Sequence, residues 1–178
     1  MTEAVELEDA DPAWSSDFEH HRSQILPCFE IEPLLIEHMG STAVPGLPAK
    51  PIIDIIILVD HLDAGLKALP ALERVGFVHR ADYADPTKLF LMKRAADDGR
   101  RTHHLHIHDN AEEVRRHLLF RDALRADARL RDAYRDLKLA LASRYRDDRM
   151  AYSRHKTAFI DTLVASHGGP ARRVAWDP

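Results

Sequence analysis

The run PIIDIIILV, residues 51–59, constrains this chain more than any other stretch. It is short, rich in β-branched residues, and bounded by Pro51 and Asp60. Such a run reads as a central strand covered on both faces. One residue breaks the pattern. Asp54 places a carboxylate among isoleucines, where its burial is unfavourable unless another group answers the charge.

The surrounding pattern alternates helices and strands. Asp11-Pro12 looks like an N-cap followed by proline at the first helical position. Trp14, Phe18, Ile25 and Phe29 then recur at helical spacing, which predicts an amphipathic helix over 12–27. LLIEHM, residues 34–39, reads as a strand ending at Gly40. A helix over 61–74 carries Leu62, Leu66, Leu69 and Leu72 on one stripe. Gly76-Phe77-Val78 opens another strand. The segments 88–94 and 102–107 flank Asp98-Gly99, a hairpin signal, and predict an antiparallel pair.

From Asn110 the chain becomes rich in Arg, Asp, Ala and Leu. Asn110 and Glu113 have the spacing of a helix cap. Leu130, Tyr134, Leu137, Leu141 and Tyr145 form a helical stripe, with Arg, Asp and Lys on the opposite, solvated face. A last helix over 149–165 stops at Gly168-Gly169-Pro170. The expected fold class is α/β (α+β), a mixed β-sheet with flanking helices and a C-terminal helical extension. The expected organisation is a core over 1–109, helices over 110–167 packed on it as one structural unit, and a poorly ordered tail over 168–178.

Composition narrows the function classes. The net charge of −4 argues against a protein that coats duplex nucleic acid. Cys28 is the single cysteine, which excludes an internal disulfide and fits a reducing compartment. No apolar run reaches the roughly 18 residues of a membrane span. The acidic start MTEAVELEDADP lacks a secretory pattern, so a cytoplasmic location is expected.

The chemistry concentrates between residues 39 and 54. Met39-Gly40-Ser41, then twelve residues, then Asp54 has the layout of nucleotidyltransferase-fold enzymes. Glycine lets the backbone approach a triphosphate closely. A serine hydroxyl and loop N–H groups bind phosphate oxygens. In that layout a second carboxylate follows at i+2, on the same strand face, and the pair holds divalent ions. Here the i+2 residue is Ile56. Asp54 therefore has two readings, a metal or acceptor site, or a structural residue bonded to loop amides or Lys50. The segment THHLHIH supplies a second constellation. Alternation puts His104, His106 and His108 on one face and Leu105 and Ile107 on the other. Neutral imidazoles bind Zn, Mn, Fe or Ni better than Mg and act as acid or base near neutral pH. The competing reading is a polar, solvent-facing strand edge.

EHMGSTAVPGLPAKPIIDI, residues 37–55, closely resembles the signature of the GrpB family. The resemblance continues through DPAW (11–14), HLHI (104–107), FRDALR (120–125), YRDLK (134–138), Tyr152 and HKTAFI (155–160). It implies a nucleotidyltransferase-like fold, and some relatives are fused to dephospho-CoA kinase. It implies no established reaction. The matching polar positions are His38, Ser41, Thr42, Lys50, Asp54, His104, His106, Arg121, Lys138, Tyr152 and Lys156. Gly40, Ser41, Thr42, Lys50, Lys138, Tyr152 and Lys156 are the expected phosphate-binding set. Asp54, His104 and His106 are the candidate catalytic residues, with Asp54 and His106 as metal ligands. The expected cofactor is a divalent ion, Mg or Mn, or Zn if the histidines ligate. The expected ligand is a nucleotide or other phosphorylated small molecule, for nucleotidyl or phosphoryl transfer. The alternative is a catalytically inactive binding module of the same fold.

Overall fold

The isoleucine run becomes the second strand of a five-stranded mixed sheet in the computed structural model, which describes residues 4–82, 85 and 87–173. The strands are β1 (Leu35–Met39), β2 (Ile53–Leu58), β3 (Val78–His79), β4 (Leu89–Arg94) and β5 (Arg101–His108). Their order is β1-β2-β5-β4-β3. Only β2 and β5 run parallel; the other neighbours are antiparallel. The helices are α1 (Ala13–Ile25), α2 (Leu62–Arg74), α3 (Ala111–Ala126), α4 (Ala128–Arg144) and α5 (Arg149–Ser166).

The period of two along β2 and β5 sorts the side chains into two layers. One face carries Ile53, Ile55, Ile57, Leu105 and Ile107, which bury against Trp14, Phe18 and Ile25 of α1 and Ala68 and Leu72 of α2. Gly65 lets α2 lie close to the sheet. A Cβ there would meet Leu89 at 2.9 Å and Ile107 at 3.0 Å. The other face carries Asp54, Ile56, His104, His106 and His108. There α3 lays Val114 on Ile56 and Met39, and Val44 and Leu47 of the loop before β2 pack among α3, α4 and α5.

Side-chain caps divide the helical region. Asn110 accepts from the N–H groups of Glu112 and Glu113 and starts α3. Asp127 accepts from Arg129 and Leu130 and starts α4. Asp148 does the same for α5 through Ala151.

Several expectations shift. Asp11 does accept from the Ala13 N–H, at 2.8 Å, but Pro12 sits just outside α1 rather than at its first position. Leu66 is exposed, and the buried face of α2 is Gly65, Ala68 and Leu72. Leu72 and Leu69 of the expected stripe do pack on the core, but beside Leu66 the small residues Gly65 and Ala68 face the sheet, which lies too close there for bulk. Lys138 is buried, not on a solvated face. The start of the tail is pinned: Arg116 donates to the Pro170 carbonyl, and Arg172 pairs with Asp161. Residues 174–178 lie outside the described residues.

Candidate functional site

The pairing of β2 with β5 sets Asp54 directly beside His104 and Ile56 beside His106. All four side chains leave the same face of the sheet, so the histidine row lies against the lone aspartate. His104 Nδ1 is 3.0 Å from Asp54 Oδ1. Donor atoms of Asp54, His104 and His106 all fall within 4.8 Å of one another. His104 Nε2 is buried with no hydrogen-bond partner. The Phe90 ring packs on both His104 and His106. His108 shares the face but lies farther along, near the His117 ring. β5 is an interior strand, so its histidines do not form a solvent-facing edge.

The loop before β2 closes over the carboxylate. Gly40 has φ +73°, and a Cβ there would stand 2.6 Å from Asp54 Oδ2. A side chain at this position would occupy the carboxylate's own space. Thr42 points inward: its hydroxyl donates to the Ile52 carbonyl at 3.2 Å and accepts from His38 Nε2 at 2.9 Å. His38 stacks on Phe18, and burial pushes its pKa down to about 4, so the ring is neutral at pH 7. His38 and Thr42 therefore hold the loop's shape. Arg121, matched in the sequence, serves β1: it donates to Glu37 and to the His38 carbonyl, each at 2.7 Å.

Lysines from three separated segments converge on Asp54. Lys50 ends the loop, Lys138 comes from α4 and Lys156 from α5. Burial works to raise the Asp54 pKa, but the His104 hydrogen bond and charge, then Lys50 and Lys156, outweigh it and hold the carboxyl below its ordinary value. Burial and the neighbouring Lys50 pull Lys138 down to about 7 against the attraction of Asp54. Burial, then Lys50 and Lys138, lower Lys156 well below the usual ammonium range. Lys138 Nζ donates to the Pro48 carbonyl. Lys156 Nζ sits 4.2 Å and Lys50 Nζ 5.9 Å from the centre of the buried Tyr152 ring, which offers both amines an aromatic face.

Burial of His106, with Lys88 and the other histidines nearby, lowers its pKa well below the ordinary value, so it is a neutral donor of a lone pair. Two imidazoles and a carboxylate form a mixed nitrogen–oxygen donor set. It suits Mn2+ or Zn2+ better than Mg2+; with Nδ1 on Asp54, His104 Nε2 points away from the carboxylate and is the nitrogen left without a partner.

One site residue escaped the sequence reading. Tyr134 lies near the Ser41 side chain, and burial raises its hydroxyl's pKa. The signal was present: Tyr134 and Lys138 are four apart in YRDLK and so share a helical face.

A comparison with known proteins decides the family. The profile of the GrpB protein family matches residues 4–166. This chain belongs to the GrpB family. A UPF0157 protein of Pseudomonas aeruginosa is 41% identical over 90% of this GrpB chain and 66% of its own length. A UPF0157 protein of Streptomyces coelicolor is 37% identical over 96% and 89%. A dephospho-CoA kinase of Mycobacterium tuberculosis is 30% identical, covering 74% of this chain and 38% of the kinase. The chain thus spans under two fifths of that relative. Among solved structures, GrpB of Enterococcus faecalis aligns with TM-score 0.81, 32% identity and coverage of 90% and 96%. A cytoplasmic RNA terminal U-transferase aligns with TM-score 0.52 and 14% identity, covering 73% and 41%. Cid1, bound to its short product ApU, aligns with TM-score 0.53 and 14% identity, covering 74% and 42%. At that identity the likeness establishes the nucleotidyltransferase-like fold alone. Among the described residues, no helix is long and apolar enough to cross a membrane.

Proposed function

We propose that this GrpB chain binds a nucleotide or similar phosphorylated small molecule over Asp54 and transfers its nucleotidyl or phosphoryl group. The convergence of Lys50, Lys138 and Lys156 on one carboxylate carries this reading. Three lysines meet a single carboxylate in a chain whose net charge is −4. Burial and mutual repulsion lower Lys138 and Lys156, and a bound polyanion relieves the repulsion. Gly40 lets backbone and carboxylate come together, and Ser41 follows it directly with a hydroxyl for a phosphate oxygen. Asp54 stays ionised through His104, and Asp54, His104 and His106 fit a divalent ion. When bound, that ion supplies polarisation of a phosphoryl oxygen. The local clustering of these lysines, in a chain of net negative charge, supports a small ligand over duplex nucleic acid or a membrane surface. The single cysteine supports a cytoplasmic setting.

A second reading, binding without transfer, is favoured by Ile56. It is fully buried against Val114, where a two-metal site would carry a second carboxylate. A thermal-shift screen with ATP, UTP and dephospho-CoA, each with and without Mn2+, Zn2+ or Mg2+, tests both readings. Stabilisation together with label transfer from a radiolabelled nucleotide is the result expected. Stabilisation without transfer leaves the binding module. No stabilisation by any phosphorylated compound overturns both.

A further inference from the structure

Behind the Asp54 site, on the opposite face of the sheet, lies a second cluster that the proposed function does not use. Asp17 and His21 are four residues apart on α1 and share one face of that helix. His103 meets them from β5, one residue before His104. Donor atoms of these three residues fall within 4.8 Å of one another.

The hydrogen bonds around His103 define which nitrogen is presented. The Thr102 hydroxyl donates to the Lys93 carbonyl at 3.3 Å. It therefore accepts from His103 Nδ1, 2.9 Å away. Nε2 is left as a lone pair, buried and without a hydrogen bond. It stands 3.4 Å from Asp17 Oδ2. A lone pair facing a carboxylate oxygen is repulsive until a cation lies between them. A ring held by an outer partner on one nitrogen and offering the other is the arrangement of a metal-ligating histidine. His21 completes the set by changing tautomer. Its Nδ1, 2.9 Å from Asp17 Oδ1, donates to the Asp17 carbonyl at 3.0 Å, and its Nε2 accepts from Lys93 Nζ. Ligation through Nδ1 moves that proton to Nε2 and displaces Lys93. The His21 ring centre is 3.7 Å from that of His103. A pocket of about 480 Å³, lined in part by Trp14, Asp17, Pro51 and Thr102, opens beside the carboxylate and gives an ion and its waters a route in.

We propose that Asp17, His21 and His103 bind one divalent transition ion of the Zn2+ class, which ties α1 to β5. His103 Nε2, His21 Nδ1 and the Asp17 carboxylate supply three ligands, and water takes the open position. Lys93 opposes the ion. Its Nζ is 3.1 Å from His21 Nε2, on the far side of the same ring, so its removal tightens the site.

The test is Zn2+ binding to the full chain, stripped of metal, by calorimetry and equilibrium dialysis with metal analysis. It uses the metal alone and does not depend on the nucleotide reading. Asp17→Asn binds one equivalent fewer than wild type, with unchanged circular dichroism. His103→Gln shows the same loss. Asp54→Asn, which removes a ligand of the other face, retains the equivalent that Asp17→Asn loses. Lys93→Met tightens that equivalent by about tenfold, the order expected for removing a nearby unit charge. Unchanged stoichiometry in folded Asp17→Asn or folded His103→Gln overturns the proposal. So does loss of all Zn2+ binding in folded Asp54→Asn.

Discussion

Gly40 and Asp54 are coupled by contact. The glycine's φ of +73° disfavours any side chain, and the space a Cβ would need already holds Asp54 Oδ2. Gly40→Ala is expected to destabilise the fold by about 1–3 kcal/mol, the usual scale of a strained backbone position, and to displace the carboxylate. Urea unfolding and Mn2+ titration measure the two effects; a variant with wild-type metal affinity would show that the contact does not position Asp54. Asp54→Asn should do the reverse, keeping the fold while removing metal-dependent ligand binding. A large loss of stability with ligand binding intact would make Asp54 a buried anchor of the loop instead. His38 gives a pH signature. Its folded pKa of about 4 lies below the unfolded value of 6.5. Between those values the unfolded chain binds more protons, so this residue's contribution to stability is full above about 6.5 and falls as pH drops towards about 4. His38→Gln should flatten the slope of unfolding free energy between pH 7 and pH 5.

At the scale of strands and helices, Ile56 shows what occupies the place of a second carboxylate. It is fully buried under Val114 of α3 and against Met39 of β1. Ile56→Ala should lose about 2–5 kcal/mol by cavity formation. Ile56→Asp should be worse, because its carboxylate would sit under α3, and chemical denaturation ranks the two. A stable Ile56→Asp variant would mean that α3 can lift from the sheet. The same elements show what was legible in advance. The isoleucine run, the β4–β5 pairing and the histidine alternation were readable because period two is local. The Asn110 cap and the limits of α5 followed from equally local rules. Leu66 misled because helical periodicity marks a stripe without saying how close the sheet will come. Gly65 and Ala68 face it for that reason. The burial of Lys138 and the Tyr134–Ser41 contact depend on how α4 crosses a loop some ninety residues earlier. The Asp17–His21–His103 cluster was likewise hidden, since its members meet only once α1 packs on β5. Arg121 was matched as a polar position, but its partners, Glu37 and the His38 carbonyl, come from the far edge strand.

For the whole molecule the tension is between a net charge of −4 and a local cluster of lysines around Asp54. Lys138 makes that tension measurable. Its ligand-free pKa is about 7, pulled down by burial and Lys50. Below that value the amine is charged and favours an anion; above it the amine is neutral and the attraction weakens. Affinity for a nucleotide triphosphate should therefore fall as pH rises from 6 to 9. Binding at pH 8 should take up protons, because a bound phosphate raises the lysine pKa again. Calorimetry in two buffers of different ionisation enthalpy reads that uptake directly. Lys138→Met should remove much of the uptake, leaving the share due to Lys156. Stability moves the opposite way. The unfolded chain holds the Lys138 proton up to about 10.5 and the folded chain only to about 7, so this residue adds stability as pH rises through that window. The proposed anion site thus strains the ligand-free fold most at and below neutral pH, where its affinity should be highest. An affinity that does not change between pH 6 and pH 9, with no proton uptake, would place Lys138 in the scaffold of the Pro48 turn and outside the binding site.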